Sequence, residues 1–196
     1  DYDIYTFDKL LNNKSNVNTN KVKVKKTYNL IDNFKNLKSL LSSMKKQEFV
    51  SIDLETTSLD PNLAEIVGIS ISLKKNTGYY IPLLYNNKSI SSFNSEKVLL
   101  LMQPVLEFSG MKYIGQNIKY DALVLKRNGI NINNIFFDTM IAESLISPEK
   151  NSYKLDNLSK DYLNYEMVPI EDLIGEKSNQ VTMDTVPLDD ICFYAC

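Results

Sequence analysis

Three apolar stretches with a two-residue period follow one another between positions 49 and 83, and they limit the fold more than any other feature. Phe49-Val50-Ser51-Ile52-Asp53-Leu54-Glu55 reads as a buried strand. Residues 65–73 alternate at Val67, Ile69, Ile71 and Leu73, and Gly78-Tyr79-Tyr80-Ile81-Pro82-Leu83 reads as a third strand with Pro82 near its end. The short loops between them favour antiparallel neighbours. Upstream, Leu37, Leu40, Leu41 and Met44 fall at helical spacing after a cap at Asp32 or Asn33. Downstream the period changes again. Val98, Leu101, Met102, Val105 and Leu106 mark a helix, 111–115 a short strand, and 118–128 a helix ended near Gly129. Phe136-Phe137-Asp138 leads into a helix through Leu145, stopped near Pro148; Leu155, Leu158 and Leu163 mark another, and Pro187 suits the opening of a last one. A strand meander followed by helix–strand alternation predicts an α/β fold, a mixed β-sheet flanked by helices, with no internal repeat.

A chain of 196 residues with 43% hydrophobic content can bury one such core. Residues 29–196 are read as that domain and 1–28 as an N-terminal extension. Within the extension, 12–20 is a polar loop or disordered run, and the Lys/Val alternation at 21–26 fits an edge strand or a solvated tail, with nucleic-acid contact as a further reading. A net charge of −2 indicates neither a polybasic nucleic-acid arm nor a strongly acidic surface. There is no histidine, which removes Ser-His-Asp and Cys-His chemistry. Cys192 and Cys196 alone supply too few ligands for zinc and are expected as reduced thiols on a helix. No membrane partner is expected, because no apolar run reaches the length of a spanning helix. The start, Asp1-Tyr2-Asp3-Ile4, has none of the parts of a signal peptide, and the residues are expected to derive from a longer precursor. Abundant Lys and Asn, with Arg127 the sole arginine, point to an AT-rich coding sequence.

Chemistry enters with Asp53 and Glu55. Side chains at i and i+2 of a strand point the same way, about 6–7 Å apart, and two like charges so placed are unfavourable without a cation. A hard divalent metal with oxygen ligands would resolve the repulsion. Two solvated acids at a strand end are the alternative.

The surrounding strings narrow this. Val50-Ser51-Ile52-Asp53-Leu54-Glu55-Thr56-Thr57-Ser58-Leu59-Asp60-Pro61 resembles the first motif of the DnaQ-like 3′-5′ exonucleases. Gly115-Gln116-Asn117-Ile118-Lys119-Tyr120-Asp121 resembles the second motif as found in family A DNA polymerases. Phe137-Asp138-Thr139-Met140, Leu155-Asp156-Asn157-Leu158 and Gly175-Glu176-Lys177-Ser178-Asn179-Gln180 follow in the family's order. Within that family the likeness is greatest to plastid-derived (apicoplast) polymerases, partly through the Lys/Asn bias, which implies an intracellular, organellar location.

This resemblance implies an RNase H-like 3′-5′ exonuclease fold. The implied activity is proofreading: hydrolysis of the 3′-terminal phosphodiester of DNA with two Mg²⁺ or Mn²⁺ ions about 3.5–4 Å apart. Carried over, Asp53 bridges both ions, Glu55 holds the nucleophile-side ion, Asp121 holds the other through water, and Tyr194 orients the attacking water. Leu59 becomes an apolar wedge against the terminal bases, and Thr56, Gln116 and Asn117 touch the nucleotide at the single-stranded 3′ end. Asp138 is family-typical and is expected to support the site rather than ligate. Two departures stand out. The third motif needs an Asp one helical turn after Tyr194, beyond Cys196, so the domain is read as truncated before that carboxylate, with a polymerase domain of the same parent chain following. Ile170 stands where relatives often carry an aromatic that stacks on a base. Two other readings remain: a catalytically degenerate DNA-binding scaffold, and a stand-alone nuclease of ribonuclease D or Werner type.

Overall fold

The computed structural model describes residues 26–90, 92–176 and 179–196. The polar run at 12–20 and nearly all of the 21–26 alternation lie outside the described residues. Six strands form one mixed sheet. In chain order they are β1 (Thr27–Leu30), β2 (Phe49–Thr56), β3 (Ile66–Lys74), β4 (Thr77–Pro82), β7 (Lys112–Gly115) and β8 (Ile135–Asp138). Their spatial order is β1-β4-β3-β2-β7-β8. The meander β2-β3-β4 is antiparallel, as its short loops require, while β7 lies parallel to β2 and β8 parallel to β7. A two-residue hairpin, β5 (Leu84–Tyr85) and β6 (Lys88–Ser89), turns through Asn86 and Asn87, both at positive φ.

Each strand's alternation sends one set of side chains to each face of the sheet. Val50, Ile52 and Leu54 of β2, Ile69 and Ile71 of β3 and Ile81 of β4 face the main core. That face is covered by α1 (Phe34–Met44), α2 (Ser95–Leu106) and α3 (Ile118–Arg127), which contribute Leu37, Met44, Val98, Met102 and Val124. Helix α1 starts where the cap residues suggest: the Asn33 side chain accepts the Asn36 N–H at 2.9 Å. The opposite face has a smaller cluster, in which Val67 and Tyr80 pack against α7 (Leu188–Ala195) through Ile191 and Cys192. Both cysteines are free thiols.

Sequence alternation failed at one point on β3. A bulge between Glu55 and Thr56 pairs Glu55 with Gly68 and Thr56 with Ile66, leaving Val67 as an extra residue. Ile66 therefore joins the main core while Val67 turns to the other face. Strands β1 and β8 were also not anticipated. β1 straddles the expected 28/29 boundary and pairs in parallel with β4, and Phe136-Phe137-Asp138 belongs to β8 before α4 (Thr139–Ile146) begins.

Beyond β8, α4 is clamped to α5 (Leu155–Leu163). The Lys150 ammonium lies 2.6 Å from buried Glu143 and 2.9 Å from Asp161, and the Tyr162 hydroxyl donates to Glu143 at 2.6 Å. The short helix α6 (Ile170–Ile174) and a 3₁₀ turn at Met183–Thr185 lead into α7.

Candidate active site

The sheet reverses direction of growth at β2: β3 and β4 extend it on one side, β7 and β8 on the other. A crevice at the carboxyl ends of the strands beside such a switch point is where α/β folds bind ligands. The last β2–β7 pair is Ser51 with Ile114, and β7 ends at Gly115. The Leu54 N–H therefore has no strand partner on that side, and it donates to the Asp121 carboxylate at 3.2 Å. Asp121, buried in the first turn of α3, is thereby anchored to the backbone between Asp53 and Glu55. The three acids of the first two motifs meet in one place.

Their electrostatics agree with that placement. Burial and then the neighbouring Asp53 push Glu55 up to about 8. Burial, then Asp53, push Asp121 up to about 8 against the lowering effect of the Leu54 hydrogen bond. Asp53 is pushed up to about 6 by burial in the surrounding protein, although its side chain stays open to solvent; water offsets part of that push. Tyr194, on α7, is pushed up to about 12 by burial and next by Glu55, with Asp156, Asp53 and Glu171 adding to it. The acids that raise Tyr194 are thus those of the first motif, Glu55 and Asp53, together with Asp156 and Glu171.

Hard oxygen donors that repel one another in a crevice fit a divalent cation in chemistry. Among the described residues, though, no three acidic, histidine or cysteine side chains are arranged to hold a metal ion between them.

The residues expected to contact the nucleotide are placed unequally. Leu59 is 95% exposed at the tip of the loop after β2, and Leu63 beside it is exposed too. The loop is braced: the Asp60 side chain accepts the Asn62 N–H at 2.9 Å, and Arg127 donates to the Pro61 carbonyl at 3.1 Å. Thr56 shares a 2.7 Å hydrogen bond with the Tyr120 hydroxyl, a residue the sequence reading gave no role. Asn117 is exposed in the left-handed region at φ 54°. Gln116 is tied inward, donating to the Tyr153 carbonyl at 2.8 Å and accepting from Thr139. Asp138 accepts four backbone N–H groups, from Asn117, Ile118, Met140 and Ile141. It caps α3 and α4 together and supports the site structurally.

A family of proteins described as 3′-5′ exonuclease matches residues 28–196. DNA polymerase I of Borreliella burgdorferi is 40% identical over 150 residues, 73% of this chain and 15% of that protein. The chain spans about one sixth of the length of the curated relatives it matches. Brucella melitensis NrnC with bound Mg²⁺ superposes with a TM-score of 0.51 at 20% identity, covering 71% of this chain and 61% of that one. The POL domain of Pol1 from M. smegmatis, in complex with DNA primer-template and dNTP, superposes with a TM-score of 0.56 at 19% identity, covering 71% of this chain and 23% of that one. The shared fold is the RNase H-like exonuclease fold, a mixed sheet flanked by helices.

Proposed function

The chain belongs to the 3′-5′ exonuclease family, homologous to the exonuclease domains of DNA polymerase I, and on that premise we propose that it removes nucleotides from the single-stranded 3′ end of DNA as the proofreading domain of a longer polymerase. The observation that carries this reading is the seat of Asp121 on the Leu54 N–H, between Asp53 and Glu55. The contact satisfies a backbone N–H and at the same time gathers acids that repel one another.

Asp53, Glu55 and Asp121 would hold divalent cations, two Mg²⁺ or Mn²⁺ ions in our reading. Such ions, when bound, supply a water-derived nucleophile and stabilise charge at the phosphate. The chain's own residues do the rest. Tyr194 keeps its proton throughout the neutral range, so its hydroxyl can orient the attacking water without becoming an anion beside the acids. Leu59 and Leu63 offer an apolar edge that parts the terminal base from its neighbour. Thr56 and Asn117 line the approach to the terminal nucleotide, and Gln116 holds the floor beneath it from Tyr153. As in the DNA polymerase I relatives, of which this chain spans about one sixth, we place a polymerase domain in the same parent protein, and we propose an AT-rich plastid-derived organelle as its compartment.

The test is a 5′-labelled single strand incubated with the parent protein and Mg²⁺. A ladder shortened from the 3′ end is expected, with mismatched ends trimmed faster than paired ones because less unpairing is needed. Shortening from the 5′ end, or cleavage unaffected by Asp53→Ala, would overturn the assignment.

A further inference from the structure

Two buried hydroxyls without hydrogen-bond partners lie on the acidic face of the sheet, those of Ser70 and Tyr80. Tyr80 is fully buried and Ser70 nearly so. A buried hydroxyl with no acceptor is unfavourable, and replacing it by an apolar group of the same shape removes that penalty. Their presence in a packed layer calls for a reason outside the packing.

Strand register supplies one. Asp53 pairs directly with Ser70, and Ser70 in turn pairs with Tyr80 on β4. Glu55 pairs with Gly68. A Cβ at Gly68 would stand 2.2 Å from the Tyr80 hydroxyl oxygen, so that oxygen occupies the space where Gly68 has no side chain. Directly opposed residues of antiparallel strands have Cβ atoms about 4.5–5.5 Å apart. The Tyr80 hydroxyl therefore sits about that far from the Glu55 Cβ, within the swing of a Glu carboxylate. Ser70 lies directly opposite Asp53, with their Cβ atoms about 4.5–5.5 Å apart. Gly68 stands opposite Glu55 in the regular register, and the bulge begins just beyond it.

We propose that Tyr80 and Ser70 are positioning residues, whose hydroxyls, unpaired in this structure, donate to the carboxylates of Glu55 and Asp53 when those side chains turn toward the substrate phosphate and its cations. The two hydroxyls lie on the acids' side of the sheet, Tyr80 packed under Ile191 and Cys192 of α7. This rests on the exonuclease reading, and it assigns the reason for a tyrosine and a serine in that layer.

The experiment uses the parent protein with Tyr80→Phe, Ser70→Ala and the double variant. Tyr79→Phe, on the opposite face of β4 and packed against the main core, is the control. Readouts are kcat and KM on a 5′-labelled single strand, Mn²⁺ affinity by calorimetry, and thermal melts in EDTA. Each single variant should lower kcat about 5- to 10-fold, the factor one net hydrogen bond represents. KM for DNA should be unchanged, Mn²⁺ affinity several-fold weaker, and the melting temperature in EDTA equal to or above wild type. Tyr79→Phe should match wild type. Wild-type kcat and Mn²⁺ affinity in Tyr80→Phe and Ser70→Ala, while Asp53→Ala is inactive, overturn this inference and leave the exonuclease reading intact. Activity losses that merely follow a lowered melting temperature overturn it as well. A parent protein with no nuclease activity at all overturns the exonuclease reading instead.

Discussion

The two faces of the central sheet are made by the same strands and follow opposite rules. On one face, Val50, Ile52 and Leu54 of β2 meet Leu37, Met44 and Val124 in a layer that is closed and apolar. On the other, one residue away along the same strand, Asp53 and Glu55 face solvent-accessible space, an anchored third acid and two unpaired hydroxyls. The first face accounts for why the strand exists, and the second for why it carries acids. In the proposed reading, β2 divides stability and chemistry by parity: odd positions from 53 serve the reaction, even positions hold the fold. Electrostatic strain can be kept on one side because hydrophobic burial on the other side is large enough to tolerate it.

Substitutions can break that division, and the largest effect should come from the reactive face. Asp53→Ala should lower the exonuclease rate of the parent protein by about 10³-fold or more, since a cation-holding group contributes several kcal/mol to the barrier. The fold should persist, as read by thermal melts in EDTA. If the domain unfolds instead, Asp53 is a structural acid and the parity rule fails. On the opposite face, Ile52→Ala should cost about 2–5 kcal/mol of stability through a cavity in the closed layer. Denaturant titration measures it, and the rate should stay near normal wherever the protein remains folded. A third test uses pH. Burial first, then Asp53, raises Glu55 to about 8 in the cation-free protein. A carboxyl raised in this way gives stability that is full below its unfolded value and is lost as pH climbs through about 8. Melting in EDTA should therefore fall from pH 5 to pH 8, and Glu55→Gln should reduce that fall; an unchanged slope would mean that Glu55 is not raised in the folded protein. The smallest effect belongs to Leu59→Ala. At an exposed loop tip it should alter stability by no more than about 0.5 kcal/mol, while the preference for mismatched over paired ends drops a few-fold in a primer-trimming assay.

Much of the holding face was legible in the sequence, because a two-residue period over seven to nine residues is hard to read any other way. The meander, α1 with its cap near Asn33, and the helix ended near Gly129 came directly from such patterns. Short parallel strands were not legible. Thr27-Tyr28-Asn29-Leu30 and Ile135-Phe136-Phe137-Asp138 are four residues each, too brief for a period, and they are strands only because a neighbour supplies hydrogen bonds. The β5–β6 hairpin left a signal that was available, the Asn86-Asn87 pair suited to left-handed turn positions. Within the site, Asp53 and Glu55 were readable as a pair from spacing alone. Asp121 and Tyr194 came through family resemblance, and the structure supplies the reason for Asp121 in the orphaned Leu54 N–H. Ser70 and Tyr80 could not be found in the sequence, since their relation to the acids depends on pairing register.

That register has a further consequence for the loop that presents Leu59. The loop is closed at its base by Thr57 and Glu65, whose backbone groups bond at 3.1 Å while the Thr57 hydroxyl accepts the Glu65 N–H at 3.0 Å. Val67 is the extra residue just beyond that closure. It bends the strand where the loop rejoins the sheet. Substitutions along 58–63 can drift widely while the tip stays exposed. Deletion of the single codon for Val67 would instead remove the bulge, leaving Ile66 opposite Thr56 on the core side but losing both the local bend from which the loop departs and the Val67 contact in the α7 cluster. The wedge is therefore more tolerant of changed letters than of changed length.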